Sequence, residues 1–375
     1  MRPWLELLRI SNLPTVWSNV IAGAVIASVT LIIDNRLFPL IIDWLFSLVV
    51  VLIAGSSLYL AGMVLNDVFD LDIDRRERPS RPLPSGRITV GQATLLGWSL
   101  LIIGGFLPFA ISIASGIISL LLAVCVVLYE KLHARTTWSV LLMAVCRAGL
   151  YVLAAIAMIS TIQDDPGAAI LQDRWLRGLL ATGVIALPVL IHVACFSVIA
   201  RFEVPDAEEA CPGCGQIVLP DAIVCPECGD PCGPAARLDH AKQRQFKKQG
   251  WWGTGTLALL VPFASCCGFA VVAGMVNRSS VMGKTDLLIL FIALISVVIL
   301  GSYLVTSTRW LASDPTKIGP FVLRSIAAMS LYDMLVCAMA FVPMIGMSNL
   351  YGLPPLTCGV CFVVVWWAHR RIPGT

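Results

Sequence analysis

Ten stretches of this chain are apolar for long enough to cross a lipid bilayer, near residues 14–33, 40–66, 89–111, 113–130, 138–160, 178–200, 252–276, 285–307, 319–346 and 353–369. A hydrocarbon core of ~30 Å takes about 20 apolar residues in helical form, and the backbone inside it must satisfy its own hydrogen bonds. The expected fold class is therefore an all-α polytopic membrane protein, with nine or ten transmembrane helices around a central cavity. The fourth and tenth runs are short, and nine spans result if the last is interfacial or re-entrant. Composition agrees: 58% of residues are hydrophobic, only 13% are charged, and the mean hydropathy is +0.86. A soluble domain carries nearly twice that share of charge. The first run follows Met1 to Arg9 without a small-residue cleavage site, so it reads as a retained helix rather than a signal peptide.

The sparse charges set the topology. With the N-terminus in the cytoplasm, nineteen Lys and Arg fall in inside segments, whereas five (Arg36, Arg174, Arg177, Arg278 and Lys284) fall outside. This asymmetry obeys the positive-inside rule. It also accounts for the basic loops, so no nucleic-acid partner is expected. Even-numbered spans end on the inside in polar groups: an Asp-rich run, then Tyr129-Glu130-Lys131, then Arg201-Phe202-Glu203.

The Asp-rich run, residues 66–82, reads N-D-V-F-D-L-D-I-D-R-R-E-R-P-S-R-P. Asp67, Asp70 and Asp74 stand at i, i+3 and i+7, so on a continuous helix they share one face. Carboxylates so placed repel unless a cation lies among them, and hard oxygen ligands suit Mg²⁺ held with a phosphorylated substrate. Arg75, Arg76, Arg78 and Arg81 follow, and guanidinium groups grip phosphates. The competing reading is a solvated acidic-then-basic loop, and the residues alone leave both open.

Other polar groups are harder to place. Lys131 suits an interfacial, snorkelling lysine as well as a phosphate ligand. Arg147 lies about nine residues into the fifth span, where a charge is costly unless it faces a partner or a wet cavity. His192 sits at comparable depth in the sixth, and a lone His there is more often a packing residue. Asp333, mid-span in the ninth, is expected to pair with Arg147 or Arg324. Glu203 and Asp206 form either a second, weaker carboxylate pair or a hydrated acidic linker.

Between the sixth and seventh spans lies an insert, 204–249, which divides the membrane domain into 1–203 and 250–375. It holds Cys211-Pro-Gly-Cys214 and Cys225-Pro-Glu-Cys228, two knuckles at the spacing of a zinc ribbon over 209–233. A disulfide framework is disfavoured in a reducing cytoplasm. So short a segment lacks the core to fold without metal. Four Cys ligands leave no open position on zinc, so the expected role is structural or docks a protein partner.

In order, these pieces resemble the UbiA superfamily of intramembrane prenyltransferases. Residues Arg9 to Gly23 resemble that family's opening helix. Asn66-Asp67 with Asp70 and Asp74 resemble its N-D-x-x-D-x-x-x-D signature, and Arg81-Pro82-Leu83-Pro84-Ser85-Gly86 its R-P-L-x-x-G. Tyr129 with Lys131, Met143 to Arg147 and Leu331-Tyr332-Asp333 are similar to later segments. The resemblance implies transfer of a prenyl group from its diphosphate to an acceptor, with membrane lipids around the substrate tail. It implies Mg²⁺ on Asn66, Asp67, Asp70, Asp74 and Glu203, and diphosphate held by Asn66, Arg78, Arg81, Lys131, Arg147 and Arg201. Asp67, Asp70, Asp74 and Lys131 are then the catalytic set. The implied place is a bacterial inner membrane, with N-terminus, active site and ribbon in the cytoplasm. The family's second Asp-rich motif is reduced here to Glu203 with Asp206, which keeps a second reading alive: a lipid-binding or export component docked through its ribbon. The acceptor stays unnamed.

Overall fold

The computed structural model describes residues 2–31, 41–133, 136, 138–161, 168–200, 224–230, 298–309, 318–341 and 353–371. The expected span at 252–276, most of that at 285–307, and Arg201, Glu203, Asp206, Cys211 and Cys214 lie outside them. The described residues are helical almost throughout. They form α1 (Arg2–Leu8), α2 (Leu13–Leu31), α3 (Ile41–Phe69), α4 (Leu71–Glu77), α5 (Val90–Phe106), α6 (Ile113–Leu132), α7 (Ser139–Ser160), α8 (Ala168–Ala200), α9 (298–309), α10 (Ile318–Phe341) and α11 (Leu353–Arg371). Seven of the described helices are long and apolar enough to cross a membrane, and α11 is a shorter apolar helix.

Helix boundaries follow local chemistry. Thr89 caps α5 in a reciprocal capping box with Gln92, and the Ser112 hydroxyl accepts from the Ser115 N–H at the start of α6. These caps satisfy N–H groups that would otherwise be stranded near lipid.

Helices α2 and α7 occupy the centre. Val16, Val20 and Ala24 of α2 join a cluster with α3, α6 and α7, while Ala22, Val25 and Ile26 join another with α7, α8 and α10. Lipid removes most of the hydrophobic drive between helices, so close packing of small residues must supply the attraction. Gly23 shows how close: a Cβ there would lie 2.7 Å from the Cα and carbonyl oxygen of Tyr151. The outer helices α5 and α6 instead turn Leu95, Ile102, Ile113 and Leu121 outward, as lipid-facing helices do.

Candidate active site

The Asp-rich run does not stay one helix. α3 ends at Phe69, Asp70 sits at the break with φ −90° and ψ 6°, and α4 restarts at Leu71. Backbone bonds from Asp70 N–H to Asn66 O (2.9 Å) and from Asp74 N–H to Asp70 O (2.8 Å) keep the chain turning. The kink corrects the expectation of one shared face. Asp67 and Asp74, both buried, converge on Arg81, whose Nη1 donates to Asp67 Oδ1 at 3.4 Å and Asp74 Oδ2 at 2.7 Å. Asp70 turns instead to His133, whose Nε2 lies 2.9 Å from Oδ1.

The loop after α4 explains how Arg81 gets there. Leu83 and Ile88 are buried against Leu7, Val64 and Ala93, which pins the loop to α1, α3 and α5. Ser85 N–H bonds to Arg81 O at 3.1 Å and Gly86 N–H to Leu83 O at 3.0 Å. Gly86 closes the turn at φ +72°, a left-handed conformation that costs glycine nothing. So Arg-Pro-Leu-Pro-Ser-Gly folds back and aims its arginine at the carboxylates.

Arg9 was quoted above only as part of the opening-helix likeness, yet its Nη2 donates to Asp67 Oδ1 at 2.9 Å. Its backbone is left-handed (φ 45°, ψ 47°), at a cost of about 1–2 kcal/mol for a residue with a Cβ. The Tyr59 hydroxyl donates to its carbonyl at 3.2 Å, which helps hold that conformation. Non-glycine strain of this kind gathers at functional sites. Nearby, His369 Nε2 of α11 meets Asn12 Oδ1 at 2.5 Å and ties the last helix to this turn.

Two further groups went unassigned from sequence. Glu130, buried on the last turn of α6, accepts from Asn66 Nδ2 at 2.9 Å, and His133 stacks on Tyr129 with ring centroids 5.4 Å apart. A glutamate ending an apolar helix was the available signal for Glu130. The bond to Asp70 raises the His133 pKa, against the opposing cost of burial. The pair's contribution is therefore present below the ordinary histidine pKa, so long as Asp70 stays ionised, and is lost as pH rises through the raised value.

Beneath this cluster, residues of α2, α3, α6 and α7 line a partly open, mostly apolar pocket of about 90 Å³. Tyr59, Met63, Tyr129 and Glu130 line it toward the carboxylates; Val16, Leu58, Leu122, Val126 and Leu150 make most of its apolar wall, and Arg147 also opens onto it. The Arg147 guanidinium carbon lies 5.2 Å from the centre of the Tyr59 ring. Its Nη1 donates to Thr15 Oγ1 at 3.0 Å and Asn19 Oδ1 at 3.4 Å. Asn19 Nδ2 in turn donates to Asp333 Oδ2 at 2.8 Å. Asp333 thus pairs directly with neither Arg147 nor Arg324, contrary to expectation. It accepts from Ser18 at 2.6 Å, from Asn19 and from the Tyr151 hydroxyl. His192 points elsewhere, with Nε2 2.9 Å from Ser325 O. Arg78 is half-buried at the end of α4, Lys131 is exposed on the last turn of α6, and neither side chain bonds a carboxylate among the described residues.

The donor set suits Mg²⁺. Asp67, Asp70 and Asp74 are hard oxygen ligands, and Arg9, Arg81 and His133 now supply the positive charge they require. Among the described residues no three of these groups form a ready-made cage. In the insert, Cys225 is buried and Cys228 exposed. Cys225 N–H bonds to Asp230 O at 2.8 Å and Gly229 N–H to Cys225 O at 3.0 Å, a tight turn with Gly229 at φ +79°.

Known proteins resemble this chain. The chain is 33% identical over 131 residues to digeranylgeranylglyceryl phosphate synthase of Sulfurisphaera tokodaii, a match covering 35% of this chain and 43% of the relative. The corresponding enzyme of Saccharolobus solfataricus is 30% identical over 181 residues, 48% of this chain and 56% of the relative. The matched stretch thus spans about half the length of these curated relatives. A UbiA homologue from Aeropyrum pernix superimposes with a TM-score of 0.53 at 15% identity, covering 88% of this chain and 98% of that one. A solved structure described as digeranylgeranylglyceryl phosphate synthase gives 0.53 at 19% identity, covering 90% and 97%. These two likenesses bear on the fold. Residues 15–209 match the UbiA prenyltransferase family over more than half the chain, and with the kinked Asp site and cavity in place, the chain belongs to that family.

Proposed function

We propose that this protein transfers a prenyl group from a prenyl diphosphate to an acceptor within the membrane. The observation that carries this reading is the placing of an apolar cavity directly beneath the Asp67–Arg81–Asp74 cluster. A diphosphate head fits the charged end and its hydrocarbon tail the lined chamber. Asn66, Asp67, Asp70 and Asp74 would hold Mg²⁺, with Glu203 as a further ligand. A Mg²⁺ held by these residues would supply positive charge to the departing diphosphate and so would ease rupture of the allylic C–O bond. Arg81 and Arg9 are positioned to take the diphosphate oxygens, with Arg78, Lys131 and Arg201 as further candidates. The apolar wall excludes water from the allylic cation until the acceptor attacks. The names of the relatives favour a glycerol-phosphate lipid among acceptors.

The lysine and arginine distribution supports a cytoplasmic side for the N-terminus, the Asp site and the insert. In the insert, Cys211, Cys214, Cys225 and Cys228 would bind one structural Zn²⁺, the ribbon serving as a docking module; the Cys225–Gly229 turn is of the kind that aims N–H groups at thiolates.

The deciding assay offers purified protein a panel of prenyl diphosphates with Mg²⁺ and an acceptor panel, and follows pyrophosphate release. Wild type should release it, and Asp67→Ala or Asp70→Ala should not; full activity in either variant sinks the proposal. Diphosphate binding with no release by wild type would favour the lipid-binding reading instead. For the ribbon, metal analysis should find about one zinc per chain, and oxidised, metal-free cysteines would refute it.

A further inference from the structure

The last helix ends its buried stripe beside a histidine. Cys358, Cys361, Val365 and Ala368 of α11 are buried at spacings of three, four and three residues, so one face of the helix packs inward. The Cys358 thiol reaches the Ser18 carbonyl of α2 at 3.9 Å. Packing of that stripe sets the rotation of α11 and carries His369, the next residue, to the start of α2. There its Nε2 meets Asn12 Oδ1 at 2.5 Å, a contact between residues 357 apart in sequence. An amide oxygen only accepts, so Nε2 carries the proton and donates it.

Asn12 is a buried junction. Its backbone N–H donates to the Arg9 carbonyl at 3.1 Å, and its own carbonyl accepts from the Thr15 hydroxyl at 2.6 Å. The turn closed in this way is the one that holds Arg9 in the left-handed region, at φ 45°. For a residue with a Cβ that conformation is disfavoured about five- to thirtyfold. A single hydrogen bond is worth up to about tenfold. The two effects are of similar size, so the bonds that fix the turn decide whether Arg9 stays on Asp67, where its Nη2 donates at 2.9 Å.

We infer that His369 is a positioning residue for the acidic site: by fixing Asn12 it holds the Arg9 guanidinium on Asp67 and raises the affinity for a diphosphate head. This rests on the prenyl-transfer reading for the diphosphate. The last helix thereby acts on a site built from α3, the turn after α1 and the loop after α4.

The test measures equilibrium binding of geranylgeranyl diphosphate with Mg²⁺ to the full chain in lipid nanodiscs. His369→Phe keeps a ring in the same space without the donor, and should weaken binding about three- to tenfold. His369→Gln restores an N–H donor and should recover part of that loss. Arg9→Ala should also weaken binding, and adding His369→Phe to it should cost nothing further, because both act through one guanidinium. A helix that merely packs would give the same loss in either background and no recovery with Gln. That result, or binding by His369→Phe equal to wild type, would overturn the inference. A second measurement needs no ligand. Hydrogen exchange at Ile10 to Asn12 should be faster in His369→Phe than in wild type and slower again in His369→Gln, with α7 unchanged. Unaltered exchange at the turn would overturn the inference, and so would faster exchange throughout, which assigns His369 to the fold. Failure of wild type to bind the diphosphate would count against the transfer reading alone, because the exchange contrast is read without it.

Discussion

Two buried acidic centres in this protein solve the same problem in opposite ways. At the membrane boundary Asp67, Asp70 and Asp74 are matched by Arg9, Arg81 and His133, each a cation on a separate segment. Mid-membrane, Asp333 is matched by two hydroxyls and an amide, from Ser18, Tyr151 and Asn19. The first centre lies beside a cavity, and on the proposed reading its cations would yield the carboxylates to a metal and its substrate. The second is fully enclosed, with its lone pairs occupied. Charge pairing thus marks the centre proposed to bind ligands, and neutral hydrogen bonding marks the one that joins α2, α7 and α10.

The contrast is sharpest in activity. Asp67→Asn should lower diphosphate-dependent turnover by about 100-fold or more while thermal unfolding barely moves. Asp333→Asn should leave Mg²⁺-dependent binding of prenyl diphosphate intact. A loss of that binding in Asp333→Asn with an unchanged melting temperature would break the comparison.

Stability should show the reverse. Asp333→Ala strands the donors of Ser18, Asn19 and Tyr151 in a dry interior, which costs about 3 kcal/mol. A lowered melting temperature in detergent or nanodiscs checks this, and no shift would show the network to be dispensable.

A smaller effect is expected where the inner centre depends on packing. Gly23→Val drives a side chain into the Tyr151 backbone and should cost about 1–3 kcal/mol by separating α2 from α7. If the α2–α7 contact supports the Asp333 network, adding Gly23→Val to Asp333→Ala should cost less than the two separately.

The smallest effect belongs to the outermost charges of the first centre. Arg75 meets Asp72 at 3.1 Å, but both side chains are largely in solvent. Arg75→Gln should change stability by less than about 0.5 kcal/mol and leave turnover unaltered. A strong loss of turnover would extend the site to the solvent face of α4.

The sequence made much of this legible because the signals are local. Apolar length marks a span wherever it occurs, and the aspartates stand seven residues apart at most. Arg81 was legible as well, since a short Pro/Gly loop returns it to them. Arg9 was not, because 58 residues separate it from Asp67 and only the packing of α1 against α3 joins them. Glu130 and Asn66 are 64 apart in sequence, and their bond depends on how α6 leans on α3. The expectation for Asp333 failed for a related reason: sequence proposes a counter-charge, whereas the fold supplied a hydroxyl and an amide from a helix more than 300 residues away.

By itself, then, the sequence determined a helical membrane protein, its charge asymmetry and the presence of a clustered acidic motif. Those follow from residue type and spacing, which act over one or two turns of chain. Tertiary structure decided which carboxylate meets which cation, that Asp70 leaves the face of Asp67 and Asp74, and that Arg147 opens onto the cavity with Asp333 held one amide away. Those depend on which helices touch, and in a bilayer that is fixed by close packing of small residues such as Gly23, a contact no local pattern encodes.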